Sequence, residues 1–89
     1  MKLVKNNYYA FYSVEGSISS KTPLRYSSLM PGIRDLRREV LVHLTEKGNA
    51  RWSIHLPSGK AVAAGGWKNG VRYRISDAEL HLYDKPEIE

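Results

Sequence analysis

Residues 52–75, WSIHLPSGKAVAAGGWKNGVRYRI, decide the fold. They hold both tryptophans and two turn dipeptides, Ser58-Gly59 and Asn69-Gly70. Asn-Gly between strand-like runs is the type I′ hairpin signal, because both residues take positive φ and the strand twist is preserved. That turn pairs Lys68 with Val71, Trp67 with Arg72, Gly66 with Tyr73 and Ala64 with Ile75. An inward row of Val62, Ala64, Gly66, Val71, Tyr73 and Ile75 follows, continuing the row Trp52, Ile54 and Leu56. Trp67 then faces outward opposite Arg72, a cross-strand cation–π pair.

Gly48, Gly59 and Gly70 recur at eleven-residue intervals, the punctuation of a β-meander. Residues 33–47 (IRDLRREVLVHLTEK) carry two conflicting periods. Ile33, Leu36, Val40 and Leu44 have helical spacing, and Gly48 suits a helix C-terminus. Val40, Val42 and Leu44 also alternate as a strand does. The glycine spacing favours a short helix over residues 31–38 and a strand over 39–45, with one helix to Lys47 as the alternative. In the strand register a three-residue loop at Lys47, Gly48 and Asn49 sets Leu44 opposite Trp52.

Upstream, residues 1–6 read as a short strand or tail. Residues 8–14 (YYAFYSV) are aromatic and β-branched, apolar on both faces, and form a strand covered on two sides. Glu15, Gly16 and Ser17 turn the chain, and Ile18 begins a short return. Residues 19–32 form a loop with an edge strand near 24–27, since Pro23 and Pro31 disfavour helix before them. Downstream, Ser76 and Glu79 have capping-box spacing, which predicts a short helix from Asp77 to about Tyr83. The alternative is a last strand over 79–83. Glycines 65 and 66 sit inside a strand, where close packing of another group explains them best.

The chain of 89 residues is 42% apolar and is expected to be a single domain, 1–89, with residues 84–89 a fraying acidic tail. It has no cysteine, no apolar run long enough to span a bilayer and no signal-like N-terminus, so a cytoplasmic protein with no membrane association is expected. Its formal charge is +5. Residues 1–74 hold 13 Lys/Arg against four carboxylates, a net +9, and residues 75–89 hold one lysine against five, a net −4. A basic body with an acidic tail points to a polyanionic partner, and simple solubility is the bland alternative.

The outward face of the 52–75 sheet collects Arg51, His55, Trp67, Lys68, Arg72 and Arg74, with Ser53 among them and Lys60 at the neighbouring turn. Guanidinium groups beside an aromatic plane suit phosphates and bases respectively. Arg34, Arg37 and Arg38, interleaved with Asp35 and Glu39, form a second basic cluster, either a salt-bridged face or a phosphate contact. His43, His55 and His81 fall on one side if their segments are all strands, the minimum for metal-independent RNA cleavage. No H-x₃-H, HExxH or acidic loop occurs, so no metal is expected, and no sequence pattern calls for a cofactor. Tyr8, Tyr9, Phe11, Tyr12 and Tyr26 can extend a stacking platform, but core is the favoured reading, since a chain this small has few large apolar groups to spare.

GVRYRISDAEL, residues 70–80, resembles the wing-to-helix segment of small excisionase-like winged-helix proteins, a basic hairpin strand followed by a capped helix. The helix-turn-helix that precedes the wing in those proteins has no counterpart in the pattern, and no function is carried over.

The expected fold is α+β and mainly β: a small antiparallel meander sheet or open barrel of about five strands with one or two short helices. The expected function is a small basic non-catalytic module that binds nucleic acid, DNA or RNA, through its basic and aromatic hairpin face. The alternative is a protein-binding inhibitor or adaptor of phage or mobile-element type docking on a larger host complex. The third reading is a metal-independent ribonuclease. An exposed edge strand can pair two chains, so a monomer and a homodimer are both compatible with the sequence.

Overall fold

The computed structural model describes residues 7–20 and 22–88, so the expectation for residues 1–6 lies outside the described residues. Five antiparallel strands form one open sheet: β1 Tyr8–Val14, β2 Leu24–Tyr26, β3 Ala50–His55, β4 Ala61–Lys68 and β5 Val71–Arg74. Their spatial order is β2-β1-β3-β4-β5. An α-helix, α1 (Leu29–His43), and a 3₁₀ helix (Asp77–Tyr83) complete a small α+β, mainly β fold. β2 and β3 flank β1 and both run antiparallel to it, so β2–α1–β3 is a split crossover that lays α1 on the sheet. No helix among the described residues is long and apolar enough to cross a membrane.

The helix is longer than the glycine spacing implies, and the strand expected over 39–45 does not form. Ile33, Leu36 and Val40 are buried at helical spacing against β1 and β3, while Val42 is 75% exposed. The place beside β3 that the extra strand needed belongs to β1, with Tyr12 opposite Trp52 and Ala10 opposite Ile54. Val40 shares the buried stripe of Ile33 and Leu36 only if the helix continues past residue 39, so the 3.6-residue period wins. The helix ends at His43, short of Gly48, with Leu44 already extended. Pro31 lies in the first turn, where its missing N–H costs nothing.

Downstream, the Asn69-Gly70 turn is as expected, with φ of 52° and 80°, and the register sets Trp67 against Arg72 and Gly66 against Tyr73. The face assignment is reversed. Trp52 lies opposite Gly65 and Ala50 opposite Trp67, so Ala63, Gly65, Trp67, Arg72 and Arg74 share the helix face with Trp52. Ala64, Gly66, Val71 and Tyr73 lie on the other face with Ser53 and Arg51. A bulge between Ile54 and His55 inserts one residue near Val62, which accounts for the slip in parity. β4 is buried on both faces, so its apolar alternation carries no information about which face is inward.

Two glycines make the sheet's inner packing possible. A Cβ on Gly65 would meet the Trp52 ring at 2.9 Å on the helix face. A Cβ on Gly66 would collide with the Ala50 carbonyl oxygen and come within 2.9 Å of the Tyr73 hydroxyl on the opposite face. Adjacent strand positions thus seat an aromatic side chain on each side of the sheet.

The 3₁₀ helix packs against β4, and Lys85 just beyond it lies over the Phe11 ring on part of the face opposite α1. Ser76 precedes that helix as expected, although its side chain makes no cap bond; the Glu79 N–H bonds the Ser76 carbonyl instead. The segment after it lies along the β3–β4 loop. The amides of Lys85 and Ile88 donate to the carbonyls of Gly59 and Pro57, and the Asp84 carboxylate accepts from the Ala61 N–H at 2.7 Å.

Trp67 is 6% exposed and belongs to the core, which overturns its expected outward position. Trp67→Ala is expected to cost about 3–5 kcal/mol of stability. Arg72→Ala, at the neighbouring register position but exposed, is expected to change stability by about 0.5 kcal/mol or less. Urea unfolding of the two variants measures both.

Candidate nucleic-acid interface

The basic residues are sorted by strand parity and helix phase into two surfaces, one on each side of the β4–β5 hairpin. On the helix face, Arg72 and Arg74 project from β5, which is exposed along its whole length. Arg37 comes to meet them from the flank of α1, one position past the buried Leu36. Arg34 and Arg38 follow on the outer, exposed side of the same helix. The two clusters that looked separate in the sequence, 34–38 and 72–74, are therefore one surface, joined through Arg37.

Arg37 is the pivot. Its guanidinium carbon lies 5.8 Å from the centroid of the Trp52 ring. Burial lowers its pKa first, and the positive charges of Arg72 and Arg74 lower it further. Among the described residues no carboxylate forms an ion pair with any of the three arginines. Two donors here are buried without an acceptor, Arg37 Nε and Trp52 Nε1. Buried N–H groups without partners cost about 1–3 kcal/mol each, more beside a charge. Concentrated positive charge without paired carboxylates attracts anionic groups, and guanidinium donors match their oxygens.

The opposite face carries Arg51, Lys68 and Tyr73 around an open cleft of about 560 Å³. Arg51 lies opposite Gly66, which is in turn opposite Tyr73, so the tyrosine ring and the guanidinium stem occupy the same row. Tyr73 is 39% exposed, in contrast to the inward place expected for it. Asn49 forms the floor's anchor. Its Nδ2 donates to Glu15 Oε2 at 3.0 Å and its Oδ1 accepts from the Asn69 N–H at 2.8 Å.

Of the other expected site residues, Lys60 is exposed in the β3–β4 loop, at the end of that strand pair opposite to Arg51. His55 is wholly buried and is no contact residue. Its ring edge meets Phe11, its Nδ1 lies 3.0 Å from the Gly59 carbonyl and its Nε2 2.7 Å from Ser53 Oγ. A carbonyl only accepts, so Nδ1 carries the proton and Nε2 accepts from the serine hydroxyl. His43 stacks on Tyr12 from α1 and lies 3.9 Å from Glu39, and His81 is exposed on the 3₁₀ helix. His43 lies on the helix face beside Tyr12, His55 is buried on the other face beside Phe11, and residues 77–83 are not the strand that the grouping required, so the one-sided constellation is not formed. No group of three or more potential metal ligands occurs among the described residues.

Sequence reasoning missed the place of Trp52 in this site. The signal was the pair of glycines, which mark where rings lie across the sheet.

Burial is the main cause holding the His55 pKa below its ordinary value near 6.5. Lys85 also lowers it, while the Gly59 carbonyl and Asp84 act the other way. The unfolded chain therefore binds the proton first. Stability is expected to be flat above about pH 6.5 and to fall below it by up to ~1.4 kcal/mol per pH unit. Urea midpoints across that range, compared with His55→Gln, test this; the variant is expected to be less stable and to lose the slope between neutral pH and the carboxylate range.

Comparison with protein-family models, curated proteins and solved structures found no match.

Proposed function

We propose that this chain is a small nucleic-acid-binding module that acts by contact rather than by catalysis. The observation that carries this reading is the convergence of Arg37, Arg72 and Arg74 beside the unpartnered Nε1 of Trp52, with no carboxylate paired to them among the described residues. Guanidinium groups present forked donors that match phosphate oxygens, and Arg34 and Arg38 extend the charged row along α1. Counterion release supplies most of the affinity of such a surface, which makes binding steeply dependent on salt. Trp67, being core, has no part in stacking.

A protein partner is the second reading, favoured by the exposed apolar side chains of Met30, Leu41 and Val42 on α1. Arginine and aromatic groups serve as hot spots at protein interfaces too. Retention of a partner from lysate after nuclease treatment supports that reading; loss of all partners supports nucleic acid.

Fluorescence anisotropy with a labelled oligonucleotide, read between about 50 and 200 mM salt, tests the proposal. Affinity is expected to fall along a straight line in log–log form. Arg37→Ala, Arg72→Ala and Arg74→Ala are each expected to flatten that line by roughly one ion. Binding indifferent to salt, or no binding at low salt, contradicts it.

A further inference from the structure

We propose that the cleft opposite α1 is a base-stacking site for single-stranded nucleic acid, with Tyr73 as the platform and Arg51 and Lys68 as flanking phosphate contacts. The proposal rests on the nucleic-acid reading above and specifies which form of nucleic acid is bound.

Tyr73 has the two properties a platform needs. Its ring is partly open to solvent, and its hydroxyl end is seated over Gly66, the one residue type that leaves room there. A ring anchored at one end loses little further freedom on binding, which is why tyrosine makes economical contact surfaces. The cleft beside it, about 560 Å³, lies within the size range of small-ligand sites and has room for a nucleotide. Arg51 and Lys68 border it, both exposed and neither in an ion pair among the described residues. Glu15 closes one end, its carboxylate held by Asn49 Nδ2.

Asn49 borders the same cleft. Its Nδ2 and Oδ1 each make one hydrogen bond within the protein, which fixes the amide in place beside the cleft. Stacking on Tyr73 itself tolerates any base, the mode typical of single-strand binders.

The preference for a single strand comes from the sheet edge. β5 alternates Val71 and Tyr73 on one face with Arg72 and Arg74 on the other, and it is the last strand of the sheet. Basic groups thus lie on both sides of an edge one sheet thick. A single strand can bend around so narrow an edge and touch both faces. Duplex DNA, with a persistence length of about 50 nm, cannot.

The test measures affinity for one oligonucleotide, single-stranded and as its duplex, in the wild type, Tyr73→Ala and Tyr73→Phe. Losing one stacked base is worth about five- to a hundredfold in affinity. Tyr73→Ala is expected to weaken single-strand binding by that much and leave duplex binding unchanged, while Tyr73→Phe stays within about twofold of wild type. A photocrosslink from wild-type protein to a 5-iodouracil oligonucleotide, expected at Tyr73, covers the case in which Tyr73→Ala fails to fold. Single-strand binding that survives Tyr73→Ala, or a crosslink that maps elsewhere, overturns the stacking site while leaving the arginine surface standing. A wild type that binds neither form overturns both.

Discussion

The contact on which the structure depends is the Trp52 ring lying across Gly65. It joins the central strand β3 to the outer part of the sheet at a position with no side chain of its own. Any Cβ at residue 65 would lift the ring, and with it the surface that Arg37 rests on. The helix α1 is held by ordinary apolar burial of Ile33, Leu36 and Val40. Its polar flank is placed by the indole beneath it. The core and the arginine surface therefore share a single side chain, whose ring carries the Arg37 guanidinium and whose buried N–H has no acceptor within the protein. Trp52 is 3% exposed, so its N–H is fixed rather than adaptable.

Gly66 repeats the arrangement on the reverse side with Tyr73. The glycine pair thus lets a thin hairpin carry an aromatic group on each face. The hairpin's charges follow the same alternation, with Arg72 and Arg74 on one side and Arg51 and Lys68 on the other. Asn49 braces the far end, bonding the β1 turn through Glu15 and the β4–β5 turn through the Asn69 amide. The geometry places positive charge on both sides of a free edge.

Much of this was legible in the sequence. The Asn69-Gly70 dipeptide specified its turn and the Trp67–Arg72 register, because positive φ at both positions leaves few alternatives. β1 was legible from its aromatic density, and the 3₁₀ helix from its boundaries. Residues 39–43 misled because Val40 satisfies both periods, and only the presence of β1 beside β3 decides between them. Such a long-range pairing leaves no local trace. The faces of β4 misled for a different reason: a bulge shifts parity by one, and a run of alanine and glycine buried on both sides has no polar face to correct the error. The arginines of the candidate site could be named in advance, but their grouping depended on that parity and on helix phase. This is why Trp67 joins Trp52 in the core instead of facing outward.

The central proposal is that Arg37, Arg72 and Arg74, gathered over the Trp52 ring, bind the phosphate backbone of a nucleic acid. A ¹H–¹⁵N spectrum recorded during titration with a short single-stranded oligonucleotide tests it most directly. Trp67→Phe distinguishes the two indole signals. The account predicts that the Trp52 indole N–H and the Arg37 Nε–H shift together on binding while the Trp67 indole stays in place. Saturating binding with neither group moving, or with the Trp67 signal moving in place of Trp52, contradicts it.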